Sequence, residues 1–447
     1  MLNPQDVRDE LPADTLQRAK ALVVIGEVNS SRGTQQLAMA GRALTRAYAL
    51  LAAMGPAPGI DPGEYYKTLG ASAFWLGQIA YGAGRLDDAT THMHRYRTAS
   101  QAWLAAAPAH PQARAELGYA LGSLSSIAMR RGRWAEAQRG FEASLALKLA
   151  VLADHPDDID AQDAIASARA WLGQLAHLKG DSRRALALYD TARGVQQHLQ
   201  QARPGEAVRL RDLGVIESRR AEALQALGRP VDAIAARQAA ARWMRQALVD
   251  GASNAFWQAE SLLADSALLL AQSDAGMPVT AELATLQRRL AGHDQAGQAM
   301  REWRQSAVQA RLVLAAQALR ARDRAKGRAA ASAAAQDIRG LMVQYPYLWQ
   351  GRELQARAAM LLLQTEDAED GEATTTYPAA QCKAARSALQ PAIDTGQAGF
   401  VREAWLVARA CAGEGAVTGA DVQTLTQGGY RPQSPAFLHA VSTRIAP

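Results

Sequence analysis

Glycine, alanine and proline recur along this chain with one fixed spacing. Four glycines stand 48 residues apart and a fifth extends the series: Gly84, Gly132, Gly180, Gly228 and Gly276. Each is followed five residues later by an alanine: Ala89, Ala137, Ala185, Ala233 and Ala281. Prolines keep the same period at Pro108, Pro156 and Pro204. A strict period of this length is typical of repeat arrays, in which each unit buries its apolar face only against its neighbours.

The composition favours helices throughout. Hydrophobic residues make up 49% of the 447 residues, and many of them are alanine, the best helix former. Few segments show the alternation of β-branched and polar residues that is typical of strands. We therefore predict an all-α chain in which each repeat is an antiparallel helix pair. The glycine ends the first helix in the left-handed conformation, which a Cβ disfavours. The alanine marks the place where the second helix crosses the first, and the proline ends the second helix.

The clearest unit resembles the tetratricopeptide repeat. It carries Trp171-Leu172-Gly173, then Gly180, Ala185, Tyr189, Ala192 and Pro204. The first unit carries Gly33 and Ala38, with 51 residues to the next glycine. The repeat unit of that family is about 34 residues long. The longer period here adds about two turns to each helix and therefore predicts helices of about 20 residues. The resemblance implies a helical-repeat solenoid, a right-handed superhelix of antiparallel helix pairs.

The repeat pattern also predicts how the chain is organised. We expect a repeat array of about six helix pairs over residues 1–299, followed by divergent helical repeats and a C-terminal cap over 300–447. An acidic loop is expected at residues 366–372.

The resemblance also implies where a partner binds. In tetratricopeptide arrays the first helix of each pair lines the concave surface, and two positions per repeat face it. The first position maps to Glu27, Gln78, Ser126, Gln174, Glu222 and Leu270, and the second to Tyr81, Met129, His177 and Gln225. A polar ladder at fixed phase suits an extended peptide, although a merely solvated face is the alternative reading. We predict a partner-binding groove formed by Gln78, Tyr81, Ser126, Met129, Gln174, His177 and Glu222.

Recognised catalytic motifs are absent from the sequence, including GxxxxGK[ST], HExxH, GxSxG and CxxC. We therefore expect a non-enzymatic scaffold that binds a protein or peptide, with no cofactor and no metal. The alternative is the sensor or regulatory array of a bacterial signalling protein, a kinase or transcriptional regulator, whose effector domain lies outside this chain. The net charge of +6 is modest for this length, so we do not expect nucleic acid as a partner.

The sequence gives three indications of location. No apolar run is long enough to cross a bilayer, so no membrane insertion is expected. Residues 1–10 are polar and have no signal-peptide character. The two cysteines, Cys382 and Cys411, suit a reducing compartment, while a single bridge between them is the alternative. We expect a cytoplasmic protein, or a periplasmic one if the chain belongs to a membrane-anchored receptor.

Overall fold

The computed structural model describes residues 11–30, 34–252, 254–292, 300–365 and 378–442. Every regular element within these ranges is an α-helix, which confirms the all-helical prediction. The chain divides into two compact units, one of residues 1–171 with 253–256 and one of residues 172–252 with 257–447. The acidic segment at 366–372 and the expected boundary near residue 299 lie outside the described residues.

The first unit consists of helix pairs. Its helices are α1 (Pro12–Ser30), α2 (Thr34–Met54), α3 (Pro62–Gly82), α4 (Leu86–Ala106), α5 (Pro111–Arg130), α6 (Trp134–Asp154) and the beginning of α7 (Ile159–Leu178). Consecutive helices pack against each other as α1 on α2, α3 on α4 and α5 on α6. The helices of these pairs have 19 to 21 residues, as the lengthened period predicts.

The second unit continues the pairing. It contains the rest of α7, then α8 (Ser182–Ala202), α9 (Ala207–Ala226), α10 (Pro230–Asp250), α11 (Ala255–Asp274), α12 (Thr280–Ala291), α13 (Arg301–Arg320), α14 (Arg324–Gln344), α15 (Trp349–Gln364), α16 (Ala379–Asp394), α17 (Phe400–Cys411), α18 (Gly419–Thr426) and α19 (Pro435–Ser442). Its C-terminal helices enclose an apolar core around Leu389, Val401, Leu406 and Phe437.

The periodic glycines lie at the turns within the helix pairs, as predicted. Gly84, Gly132, Gly180, Gly228 and Gly276 all have positive φ, between 70° and 88°. The N–H of the residue after each of the middle glycines donates to a helix carbonyl five residues earlier, as in Asp181 to Ala176 at 2.9 Å. This bond is the signature of a helix end closed by a left-handed residue, so glycine is needed there for its conformation.

The periodic alanines are buried in the four central repeats. Ala89, Ala137, Ala185 and Ala233 are all fully buried. Ala281 is exposed, because α12 begins four residues after Gly276 and not two, so that Leu283 is its first buried residue. Ala38 is also exposed, and Ala40 is the buried alanine of α2.

The buried alanine of α2 stands two residues later than the repeat pattern predicts, because α1 and α2 pack in a different register. In α7, Gly173 packs against Tyr189, which lies 16 residues later, whereas Gly26 in α1 packs against Leu44, which lies 18 residues later. The phase of α2 is therefore displaced by two residues. Gly33 itself lies outside the described residues.

We predict that Ala185→Leu will lower the free energy of unfolding by about 1–3 kcal/mol, because three more carbons must enter a filled space. A chemical-denaturation midpoint measures the effect. Ala187→Leu on the same helix is the control, since Ala187 is exposed and should tolerate leucine. Equal midpoints for the two variants would show that Ala185 is not at a close helix crossing.

The repeat continues after residue 300 with different residues at its key positions. Arg322 takes the turn between α13 and α14 with φ of 60°, and the next N–H, that of Asp323, donates to Ala318 at 2.9 Å. Buried Gly327 stands five residues after Arg322, where the earlier repeats have alanine. Pro346 follows Arg322 by 24 residues, as Pro156 follows Gly132. The helices α13 and α14 thus form a full-length repeat that the glycine pattern alone does not reveal.

Candidate functional site

Two irregular stretches, residues 427–434 (the C-terminal segment) and the link before α17, bind the ends of two first helices in the second unit. The N–H of Arg431 donates to the carbonyl of Ala226 at 2.8 Å. From the link before α17, the N–H of Ala398 donates to the carbonyl of Leu178 at 3.1 Å. Leu178 and Ala226 are the last residues of α7 and α9 and stand 48 residues apart. The last carbonyls of a helix have no partner within the helix, so they are natural acceptors for another piece of chain.

Side chains extend this backbone pairing. The Nε2 group of Gln225 donates to Oε1 of Gln433 at 2.7 Å, and Nε2 of Gln433 donates to the carbonyl of Gln225. The approach depends on glycine, because a Cβ at Gly428 would overlap the carbonyl of Gly180. Gln225 therefore contacts a partner segment, and that partner is the chain's own irregular C-terminal segment.

Glu403 on α17 holds the other side of this segment. Its carboxylate, which is fully buried, accepts from the Tyr430 hydroxyl at 2.5 Å and from the N–H of Ser434 at 2.6 Å. Burial raises the pKa of Glu403, while these hydrogen bonds act in the opposite direction. The disulfide between Cys382 and Cys411 joins α16 to α17 and so fixes the helix that carries Glu403.

Between the C-terminal segment and the repeats lies a cavity of about 60 Å³. Residues of six helices, of the link before α17 and of the C-terminal segment line it, among them His177, Glu222, Gln225, Arg237, Glu353, Arg357, Phe400, Tyr430 and Gln433. His177 and Glu222, two of the predicted groove residues, therefore share one site.

Two carboxylates of the cavity have raised pKa values. The pKa of Glu222 is raised to about 7 by burial and by repulsion from Glu353, which the positive charges of Arg237 and Arg219 oppose. Burial likewise raises the pKa of Glu353. In the part of the chain that the structure describes, neither carboxylate makes a hydrogen bond or an ion pair within 4 Å.

The positive groups of the cavity differ in their surroundings. Arg357 is paired with Asp274 and lies 5.3 Å from the centre of the Phe400 ring. Arg237 has no hydrogen bond or ion pair to any described residue, and its Nε atom is buried without an acceptor. His177 also has a buried Nδ1 atom without a partner, and burial lowers its pKa to about 4, so the ring is neutral near pH 7.

The other predicted groove residues are distributed as follows. Gln78 and Tyr81 are partly buried in the first unit, where the Arg130 guanidinium stacks 3.6 Å from the Tyr81 ring centre. Ser126, Met129 and Gln174 are buried, and Gln174 is only 1% exposed. The structure thus unites His177 and Glu222 at one cavity but not the other five residues.

Sequence reasoning missed the partners that complete the cavity. Arg237 lies on a second helix, and Glu353 and Arg357 lie beyond the regular repeats. The one sequence signal for the last two is their spacing, since residues four apart share a helix face.

The described residues contain no group of three or more His, Cys, Asp or Glu side chains placed to hold a metal ion. None of the described helices is both long and apolar enough to cross a membrane.

Comparison with known proteins gives a likeness of fold only. No family model and no curated protein matches the sequence. Among solved structures, a Rap protein complexed with Competence and Sporulation Factor is 12% identical, with 88% of this chain and 99% of that chain covered and a TM-score of 0.47. The human IFIT1 dimer with m7Gppp-AAAA is 13% identical, with 99% and 94% covered and a TM-score of 0.42. The P58(IPK) TPR domain is 14% identical, with 95% and 96% covered and a TM-score of 0.23.

The architecture follows from the helices and turns of the chain itself. Its helices pair in sequence, the central pairs repeat every 48 residues, and their turns are closed by left-handed glycines. On these grounds the chain is an all-helical repeat protein built from helix pairs, and its repeats resemble the tetratricopeptide repeat.

Proposed function

We propose that the chain is a non-enzymatic scaffold that binds a protein or peptide at the C-terminal ends of its first helices. The observation that supports this is the binding of the chain's own residues 427–434 to α9, with the Ala226 carbonyl and the Gln225 side chain as partners. An irregular segment whose backbone and side chains are bound in this way resembles a bound peptide ligand.

The first unit offers the matching positions to an external ligand. Gly82 and Arg130 end α3 and α5, as Leu178 and Ala226 end α7 and α9, and Gly82 is exposed. The Tyr81 hydroxyl is buried without a hydrogen-bond partner among the described residues. A polar ligand group that reached this hydroxyl would relieve the cost of leaving it unpaired.

The predicted groove residues divide into two roles in this proposal. Gln78, Tyr81, His177 and Glu222 are partly exposed and would contact a ligand directly. Ser126, Met129 and Gln174 are buried, so they would shape the groove through their neighbours.

A test needs a ligand that does not depend on knowing the natural partner. We would select peptides from a random phage-displayed library on the whole protein and measure the affinity of a selected peptide by calorimetry. The variant Gln78→Ala with Tyr81→Phe is expected to weaken binding by about 1–3 kcal/mol, roughly tenfold or more. Gln112→Ala is the control, because Gln112 is exposed at the opposite end of α5. If both variants bind as the wild type does, the ligand face lies elsewhere.

A further inference from the structure

Three charged groups that line the cavity of the second unit lack partners. They are the carboxylates of Glu222 and Glu353 and the guanidinium of Arg237, none of which has a hydrogen bond or an ion pair within 4 Å in the described ranges. Other partly buried arginines of the same unit are paired, as Arg211 is with Glu260 at 2.9 Å and Arg220 with Asp190 at 2.6 Å. All three side chains are partly buried. A charge that is partly withdrawn from water without a partner is costly, so a site that keeps three of them is arranged for a charged ligand.

The signs of these charges indicate the ligand. Two neighbouring carboxylates provide acceptors for an ammonium group, which has three donors and no acceptor. The Arg237 guanidinium provides a planar donor fork that matches a carboxylate. Arg357 is not available in the same way, because Asp274 already pairs with it.

From this arrangement we propose that the cavity binds a small zwitterion that carries both an ammonium and a carboxylate, the chemistry of a free α-amino acid. Its ammonium lies between Glu222 and Glu353, and its carboxylate lies on Arg237. His177 adds an uncharged ring nitrogen without a partner, and the Phe400 ring adds an apolar wall.

The size of the cavity limits the side chain of such a ligand. A volume of about 60 Å³ holds roughly four to six water-sized groups, if each needs about 10–15 Å³. Glycine and alanine have about five and six non-hydrogen atoms and so fit this space. Tyr430 and Gln433 of the docked C-terminal segment form one wall of the site.

We expect ligand binding to release protons from the cavity. An ammonium group favours the ionised carboxylates, and the pKa of Glu222 is about 7 before the ligand arrives. The charged and titratable groups around Glu222 are Arg219 on α9, Arg237 on α10, Glu353 and Arg357 on α15, His177 on α7 and Tyr430. Because His177 is already neutral, the group that titrates in this range is Glu222, and affinity should rise from roughly pH 6 to pH 8 as its carboxyl group loses the proton.

The test is calorimetry on the whole chain near neutral pH with glycine and L-alanine. Saturable binding is expected at ligand concentrations up to about 10 mM, with protons released. The methyl esters lack the carboxylate charge and the N-acetyl derivatives lack the ammonium, so each should bind at least about tenfold more weakly. The double variant Glu222→Gln, Glu353→Gln and the single variant Arg237→Gln should show the same loss. Arg242→Gln, an exposed position on the same helix as Arg237, should not.

Several results would overturn the proposal. The absence of binding by the folded wild-type protein would do so without any variant. Esters that bind as well as the free amino acids would show that Arg237 has no role, and unchanged affinity in the folded glutamine variants would exclude this cavity. If Arg237→Gln fails to fold by circular dichroism, Arg237→Lys keeps the charge without the planar fork and should still weaken binding. Peptide binding at Gln78 and Tyr81 should be unaffected by all cavity variants, so the two proposals fail separately.

Discussion

Gly428→Ala is expected to lower the free energy of unfolding of the second unit by about 3 kcal/mol, the upper end for overpacking a filled site. The added Cβ would overlap the backbone of Gly180 and of Asp181, and neither group can rotate away as a flexible side chain would. The C-terminal segment must therefore move off the α7–α8 turn. Denaturant unfolding followed by circular dichroism measures the loss.

Gly194→Ala provides the control for this substitution. Gly194 lies within α8 with nothing close to its missing Cβ, so alanine should be neutral or stabilise by up to about 1 kcal/mol. If Gly428→Ala unfolds at the wild-type midpoint, the segment is not docked on the turn at Gly180.

Removal of the Cys382–Cys411 bridge has the other large expected effect. The bond closes a loop with a sequence separation of 29, and the chain-entropy relation gives about 3–4 kcal/mol for such a loop. Dithiothreitol should lower the melting temperature of the wild type. The double variant Cys382→Ala, Cys411→Ala should melt at a similarly low temperature and should not respond to the reductant. A wild type that is insensitive to the reductant would contradict the bridge.

The bridge also bears on the expectation of a cytoplasmic protein. Disulfides persist in oxidising compartments and are kept reduced in most cytosols. A bridge found in protein isolated under thiol-blocking conditions would therefore favour the periplasmic alternative.

Much of the fold can be predicted from the sequence, because the turns within the pairs require glycine and the helix crossings require alanine. Gly180 is needed for its left-handed conformation, and Ala185 is needed for its small side chain. The same reasoning fails at Arg322, which takes the left-handed conformation without being glycine, and at Gly327, which takes the alanine position. The repeat there is preserved in geometry but not in residue type, so a pattern of identities cannot find it.

The candidate site is only partly predictable for a different reason. His177 and Glu222 follow from the repeat phase, since their positions on the first helices are fixed by the period. Arg237, Glu353 and the C-terminal segment reach the cavity through tertiary packing between parts of the chain far apart in sequence. No local pattern encodes that approach.

Hydrogen–deuterium exchange of the whole protein, with and without a library-selected peptide, tests the central claim that the first helices form the binding face. We expect slower exchange at the C-terminal ends of α3 and α5, in fragments that contain Tyr81 and Arg130, with little change on α4 and α6. Protection confined to α4 and α6, or to the described helices after residue 300, would contradict it.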